Sequence, residues 1–226
     1  MQSTSALTLC QQVKTGSKAL DSALKISGGV ITLRSTKQKW LSKLAAGILV
    51  LNYKKNSSSL LLNWLDYHQR YWSLDLDYLI KIGNGIGIES EELVRSIIIH
   101  RCFSRDNIES PEFWAALGTL PKELRLVVLD SFTELYESDP VKEENKPKIF
   151  PASMFNRLVS KHDAIGIILD YSKKTINPYL AQISSVIIEF KHDEGLYAQV
   201  IKHPYLADPL IEIPVAGQQI LKRWTK

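Results

Sequence analysis

Apolar positions along the chain fall into two patterns: short unbroken runs, and longer stretches at helical spacing. Residues 30–33, β-branched and set behind Gly28-Gly29, predict a buried strand. Trp40, Leu41, Leu44, Ala45, Ile48 and Leu49 then recur at helical intervals and predict a helix. Beyond a polar loop at 54–59, residues 60–64 read as a second strand, followed by an aromatic-rich connection through Tyr67, Tyr71 and Trp72. Helices are predicted over 76–82, closed by Gly83, and from Glu89 to Leu93, with a strand over 96–101. Residues 111–120 predict a helix ending before Pro121, and 126–130 a continuous apolar strand closed by an acid, the form of a central parallel strand. After a charged stretch at 137–148 come a helix over 152–162 and a strand over 164–169. The last runs, 185–190, 196–202 and 210–213, alternate between turn signals and suit antiparallel strands. Strand and helix alternate through most of the chain. The pattern predicts an α/β fold, a doubly wound and mostly parallel sheet with helices on both faces and antiparallel C-terminal strands.

Composition narrows the class without naming a function. A chain of 226 residues is long enough for one full α/β domain with a sizeable core. Its 45% hydrophobic and 23% charged residues argue against disorder. A formal charge of +4 allows a nucleic-acid partner without demanding one. Cys10 and Cys102 lie far apart and read as free thiols of a reducing compartment. The first residues lack a basic start followed by a sustained apolar run, and the greasiest stretch, 48–51, is too short to span a bilayer. A cytoplasmic protein without a membrane partner is expected. His68, His100, His162, His192 and His203 are scattered, so no metal site is expected.

Chemistry enters between the first strand and the first long helix. A phosphate loop of the form GxxxxGK(S/T) places glycines so that backbone N–H groups converge on phosphates, and its Ser/Thr hydroxyl holds Mg²⁺. Here stand Arg34-Ser35-Thr36-Lys37-Gln38-Lys39, without a glycine, and the residue after Lys37 is Gln38, a poor magnesium ligand.

Several segments, taken in order, resemble the core of the RecA/RadA recombinase family, the archaeal RadA branch above all. Thr15-Gly16-Ser17-Lys18-Ala19-Leu20-Asp21 resembles the opening motif TGSxxLD, and residues 79–89 the helix with a "GLGLD"-like ending. Residues 98–104 are similar to the "VARAFN"-type strand, and 125–131 to the "LLIVDS" strand that ends in a magnesium-associated aspartate. Residues 199–207 resemble the late "VxxSPxLP" segment, and 213–220 the closing "ITxxGI" motif. The likeness runs from Thr15 onward and implies a RecA-like core over 15–226 behind an N-terminal extension over 1–14.

The resemblance also implies where function would lie. Asp130 matches the magnesium-associated aspartate and Arg101 an arginine used against adenine, while Lys37 is the candidate phosphate lysine; together they are remnant nucleotide-binding positions. Against this, Lys37 among Lys39 and Lys43 also suits a solvated face, and Asp130 a turn cap. The family's catalytic glutamate has Asp66 as its nearest counterpart, and Asp170-Tyr171 replace the Asn-Gln pair that senses the terminal phosphate. No catalytic residue is therefore assigned, and no cofactor is expected beyond residual ATP and magnesium binding. Lys173, Lys174 and Asn177 lie where the family has a DNA-contacting loop, whereas the acidic stretch 137–145 would repel a phosphate backbone at the other. Tyr67, Arg70 and Tyr71 have the composition of an interface.

The expected function is that of a non-catalytic RecA/RadA-like paralogue, an accessory protein of DNA recombination or repair. Its partners would be a recombinase-like protein, a second copy, single-stranded DNA, or a combination of these. A divergent DNA-dependent ATPase and a protein-binding adaptor without a DNA role stand as alternatives.

Overall fold

Local sequence sets the elements, and the sheet collects them. The computed structural model describes residues 13–24, 28–64, 76–102, 105–121, 123–130, 149–171, 175–191, 197–205 and 210–212. In chain order these form α1 (Lys18–Ala23), β1 (Gly29–Arg34), α2 (Gln38–Leu51), β2 (Ser58–Trp64), α3 (Leu76–Gly85), α4 (Ser90–Arg95), β3 (Ile97–Cys102), α5 (Arg105–Glu109), α6 (Pro111–Leu117), β4 (Leu124–Asp130), α7 (Ile149–Lys161), β5 (Ile165–Asp170), α8 (Pro178–Ile183), β6 (Ser184–Lys191), β7 (Tyr197–Lys202) and β8 (Leu210–Glu212). The strands make one eight-stranded sheet in the order β3-β2-β4-β5-β1-β6-β7-β8.

Every pairing from β3 to β6 is parallel, and β7 and β8 add on antiparallel. β6, read from sequence with the antiparallel group, thus runs parallel to β1 on one side and antiparallel to β7 on the other. Half-buried Ser185 and Glu189 flank a buried run over Val186, Ile187 and Ile188, and α8 delivers the strand back into the parallel layer.

Two apolar clusters cover the two faces. Ile31, Leu33, Leu126, Val128, Ile167 and Leu169 of the strands meet Leu41, Leu44, Ala45 and Ile48 of α2. On the opposite face Val30, Val127, Leu129 and Ile168 meet Trp114 of α6, Phe155 and Leu158 of α7 and Leu180 of α8. Alternate residues of one strand feed alternate clusters, as the pleat requires. Unbroken apolar runs such as 126–129 are the result of burial on both sides.

Gly83 works differently from the stop signal it resembles in sequence. α3 runs through it to Gly85, and a Cβ at Gly83 would lie 2.5 Å from Leu93 Cδ2, so its bareness lets α4 pack against α3. The stop comes at Gly87, in a left-handed conformation with φ of 82°. The Ile88 N–H reaches the Gly83 carbonyl at 2.9 Å and the Gly87 N–H that of Asn84 at 3.1 Å, the bond pair of a Schellman cap. Three short helices, α1, α5 and α8, have no counterpart among the sequence predictions.

Candidate functional site

Strand order singles out one place on this sheet. The chain leaves β1 through α2 on one face and leaves β5 through α8 on the other, although β1 and β5 are neighbours. Such a reversal opens a crevice at the carboxyl ends of the strands, where open α/β sheets bind their ligands. The residues there are Arg34 at the end of β1 with Ser35 after it, Asp130 at the end of β4, and Asp170 at the end of β5 with Tyr171 after it. Three apolar strand ends would leave the crevice greasy; these residues make it polar and bond to one another.

On the α2 face, Asp130 is 1% exposed. Its Oδ1 accepts a hydrogen bond of 2.6 Å from the Tyr171 hydroxyl. The same hydroxyl lies 3.1 Å from Ser42 Oγ, one turn inside α2. The Tyr171 ring is buried in the apolar cluster beside residues of α2, so the hydroxyl reaches the acid from a fixed base. A hydroxyl–carboxylate bond of this length belongs to the strong, charge-assisted class.

On the opposite face, Arg34 Nε donates to Asp170 Oδ2 at 2.7 Å, and Arg34 NH1 lies 3.5 Å from Glu189 Oε1 on β6. The sheet register makes this contact automatic: Arg34 is aligned with Asp170 on one side and with Glu189 on the other. The Arg34 and Asp170 side chains are 8% and 0% exposed, whereas Glu189 keeps a third of its surface. A buried cation so placed is neutralised by the strand beside it and steadied by a more hydrated acid beyond.

The connection from β1 to α2 covers only residues 35–37. The Ser35 N–H continues the ladder by donating to the Asp170 carbonyl at 3.1 Å, and the Lys37 N–H donates to Ser35 Oγ at 3.2 Å. Both amides are therefore committed within the protein. Lys37 itself is exposed at the start of α2.

The remaining sequence candidates separate. Arg101 on β3, Asn63 on β2 and Asp130 on β4 share one register level, but Arg101 is exposed while Asn63 and Asp130 are buried. Thus Asp130, Lys37 and Arg101 lie around one end of the sheet, the first buried and the other two exposed. Asn177 is 9% exposed and its Oδ1 accepts the Tyr179 N–H at 2.9 Å, so its side chain caps α8. Lys173, Lys174, Asp66, Tyr67, Arg70, Tyr71 and the acidic stretch 137–145 lie outside the described residues. The opening motif is structural: Asp21 Oδ1 accepts both the N–H and the hydroxyl of Thr15, at 2.6 and 2.7 Å, which ties the chain onto α1.

Arg34, Ser42 and the roles of Asp170 and Tyr171 are what sequence reading missed. One signal was present: opposite charges close two apolar strand runs, Arg34 after 30–33 and Asp170 after 165–169. It becomes meaningful once β1 and β5 are known to be neighbours. Among the described residues no group of three or more His, Cys, Asp or Glu side chains is placed to hold a metal ion, and no helix is long and apolar enough to cross a membrane.

No family model matches the sequence, and no curated protein matches it. Among solved structures the chain is similar to the crystal structure of the RadB recombinase, with a TM-score of 0.69 over 91% of this chain and 97% of that one. Identity between the two is 15%, so the likeness is one of fold. The fold is RecA-like: a doubly wound, mostly parallel sheet with helices on both faces and antiparallel strands at its C-terminal edge.

Proposed function

We propose that this chain is a non-catalytic RecA/RadA-like accessory protein of DNA recombination or repair, which binds a recombinase-like partner, single-stranded DNA, or both. The observation that carries the reading is the closed crevice at the switch point. A nucleotide there needs converging backbone donors for its phosphates and an accessible carboxylate for its magnesium. Ser35 and Lys37 direct their N–H groups to the Asp170 carbonyl and to Ser35 Oγ, and Asp130 is buried under the Tyr171 hydroxyl. These residues fit magnesium and nucleotide poorly, which supports a fold kept for binding after its chemistry was given up. The recombinase fold of the structural neighbour supports recombination as the setting. Lys173 and Lys174 supply cations for a nucleic-acid backbone, and Tyr67, Arg70 and Tyr71 an interface of aromatic and basic character.

Phosphate release from ATP, with and without single-stranded DNA, tests the first half of the proposal, and background level is expected in both. Turnover that disappears in Asp130→Ala would establish the divergent ATPase in its place. Oligonucleotide binding titrated against salt tests the second half. Phosphate contacts make affinity fall steeply as salt rises, and Lys173→Glu/Lys174→Glu should abolish the binding. A chain that binds no oligonucleotide at low salt, yet captures a protein partner, would be the adaptor.

A further inference from the structure

We infer that Tyr171 is the built-in occupant of the crevice, its hydroxyl standing where a hydrated divalent cation would sit between a helix hydroxyl and a strand-end carboxylate. The inference rests on the non-catalytic reading and deepens it, because it assigns closure to one side chain. P-loop sites hold their cation between the Ser/Thr that closes the loop and an acid at the end of a central strand. Here Gln38 stands at the loop position and the serine, Ser42, lies one turn further into α2. Both group types are present here, Ser42 on α2 and Asp130 on β4, and one oxygen bridges them at 3.1 and 2.6 Å.

A tyrosine hydroxyl resembles a metal-bound water in this position: it donates to the carboxylate and is within bonding distance of the serine. It differs in what it excludes. Mg²⁺ demands ligands at about 2.0–2.1 Å and retains several waters of its own. Here the space belongs to a phenol ring packed in the apolar cluster, and the three bridging residues are 1%, 7% and 9% exposed. Burial of the ring makes closure a permanent part of the core, unlike a surface flap. The hydroxyl also gives Oδ1 of the buried carboxylate a donor, and a buried carboxylate oxygen without one costs folding free energy. Removing the tyrosine therefore does two things together: it uncovers a hydroxyl–carboxylate pair, and it takes away the oxygen that bridged the two.

Manganese is a suitable probe, as a magnesium substitute whose free ion is visible by electron paramagnetic resonance. Tyr171→Leu preserves apolar packing while withdrawing the hydroxyl and the outer ring, and Tyr171→Ala removes more. Millimolar Mn²⁺ should leave the wild-type Tm unchanged and raise that of either folded variant by about 2–4 °C. The resonance signal should show one bound ion per variant chain, lost again when Asp130→Asn is added. Folded Tyr171→Leu that takes up no Mn²⁺ would overturn the inference while leaving the non-catalytic reading intact. Wild-type protein that binds Mn²⁺ as well as the variants would overturn it too. Wild-type turnover of ATP would instead break the underlying reading, whatever the variants do.

Discussion

Back to back at the carboxyl edge of one sheet lie two polar clusters that different physics holds together. Toward α2, Asp130, Tyr171 and Ser42 form a chain of hydrogen bonds with a single formal charge. Toward the other face, Asp170, Arg34 and Glu189 form a row of alternating charges across β5, β1 and β6. Truncating the first removes a donor. Truncating the second strands a charge in an apolar interior, and the two losses differ in size for that reason.

The sharpest way to expose the difference is Arg34→Met. It takes the guanidinium from the fully buried Asp170 carboxylate, and a loss of about 3–5 kcal/mol is expected in denaturant unfolding. Arg34→Met/Asp170→Leu should recover most of that loss, because a matched apolar pair needs no neutralising partner. A double variant no more stable than the single one would show that the row contributes through something other than its charges.

Tyr171→Phe comes next. It keeps the ring and deletes one hydroxyl, and about 1–3 kcal/mol should be lost because Oδ1 of a buried carboxylate forfeits a donor. Equal losses for Arg34→Met and Tyr171→Phe would erase the distinction between the clusters. Glu189→Gln should cost under about 1 kcal/mol, since the acid is a third exposed and 3.5 Å from Arg34.

The smallest effect lies outside both clusters and is seen in pH dependence. Burial, followed by the charge of Lys161, holds the His162 imidazole below its ordinary value. The folded state therefore takes up a proton at this ring less readily than the unfolded chain does. Stability from this source is present above the unfolded value, about 6.5, and falls as pH drops through it. Thermal melts from neutral to mildly acid pH should show a slightly shallower decline in His162→Gln than in the wild type.

Much of the sheet was legible in the sequence because burial on both faces forces unbroken apolar runs. Residues 30–33, 126–130 and 165–169 became β1, β4 and β5 with little change of bounds. The short helices were not legible. α1 and α8 span six residues each and rely on a single cap, Ser17 or Asn177, too brief a pattern for periodicity to register. Gly83 misled for a related reason, since a glycine that permits close helix packing looks in sequence like one that ends a helix. Asp130 was recognisable as a strand-end acid, yet its partner Tyr171 lies 41 positions away, and Arg34 and Asp170 are separated by 136. Only the crossing order of the strands brings such positions together, and no local pattern encodes it.

Asp170 and Tyr171 are consecutive residues, and each serves a different face of the sheet. The end of β5 thus behaves as a parity device, in which even and odd positions are wired to separate circuits. An insertion of one residue after Leu169 would turn the Asp170 carboxylate toward Asp130, move it off the level of Arg34 and displace the phenol. Both clusters would fail in a single step, one by repulsion between two acids and the other by loss of its counter-charge. Substitutions at this edge can be absorbed one at a time. A shift of frame cannot, so length at this junction is under tighter physical constraint than the identity of either residue.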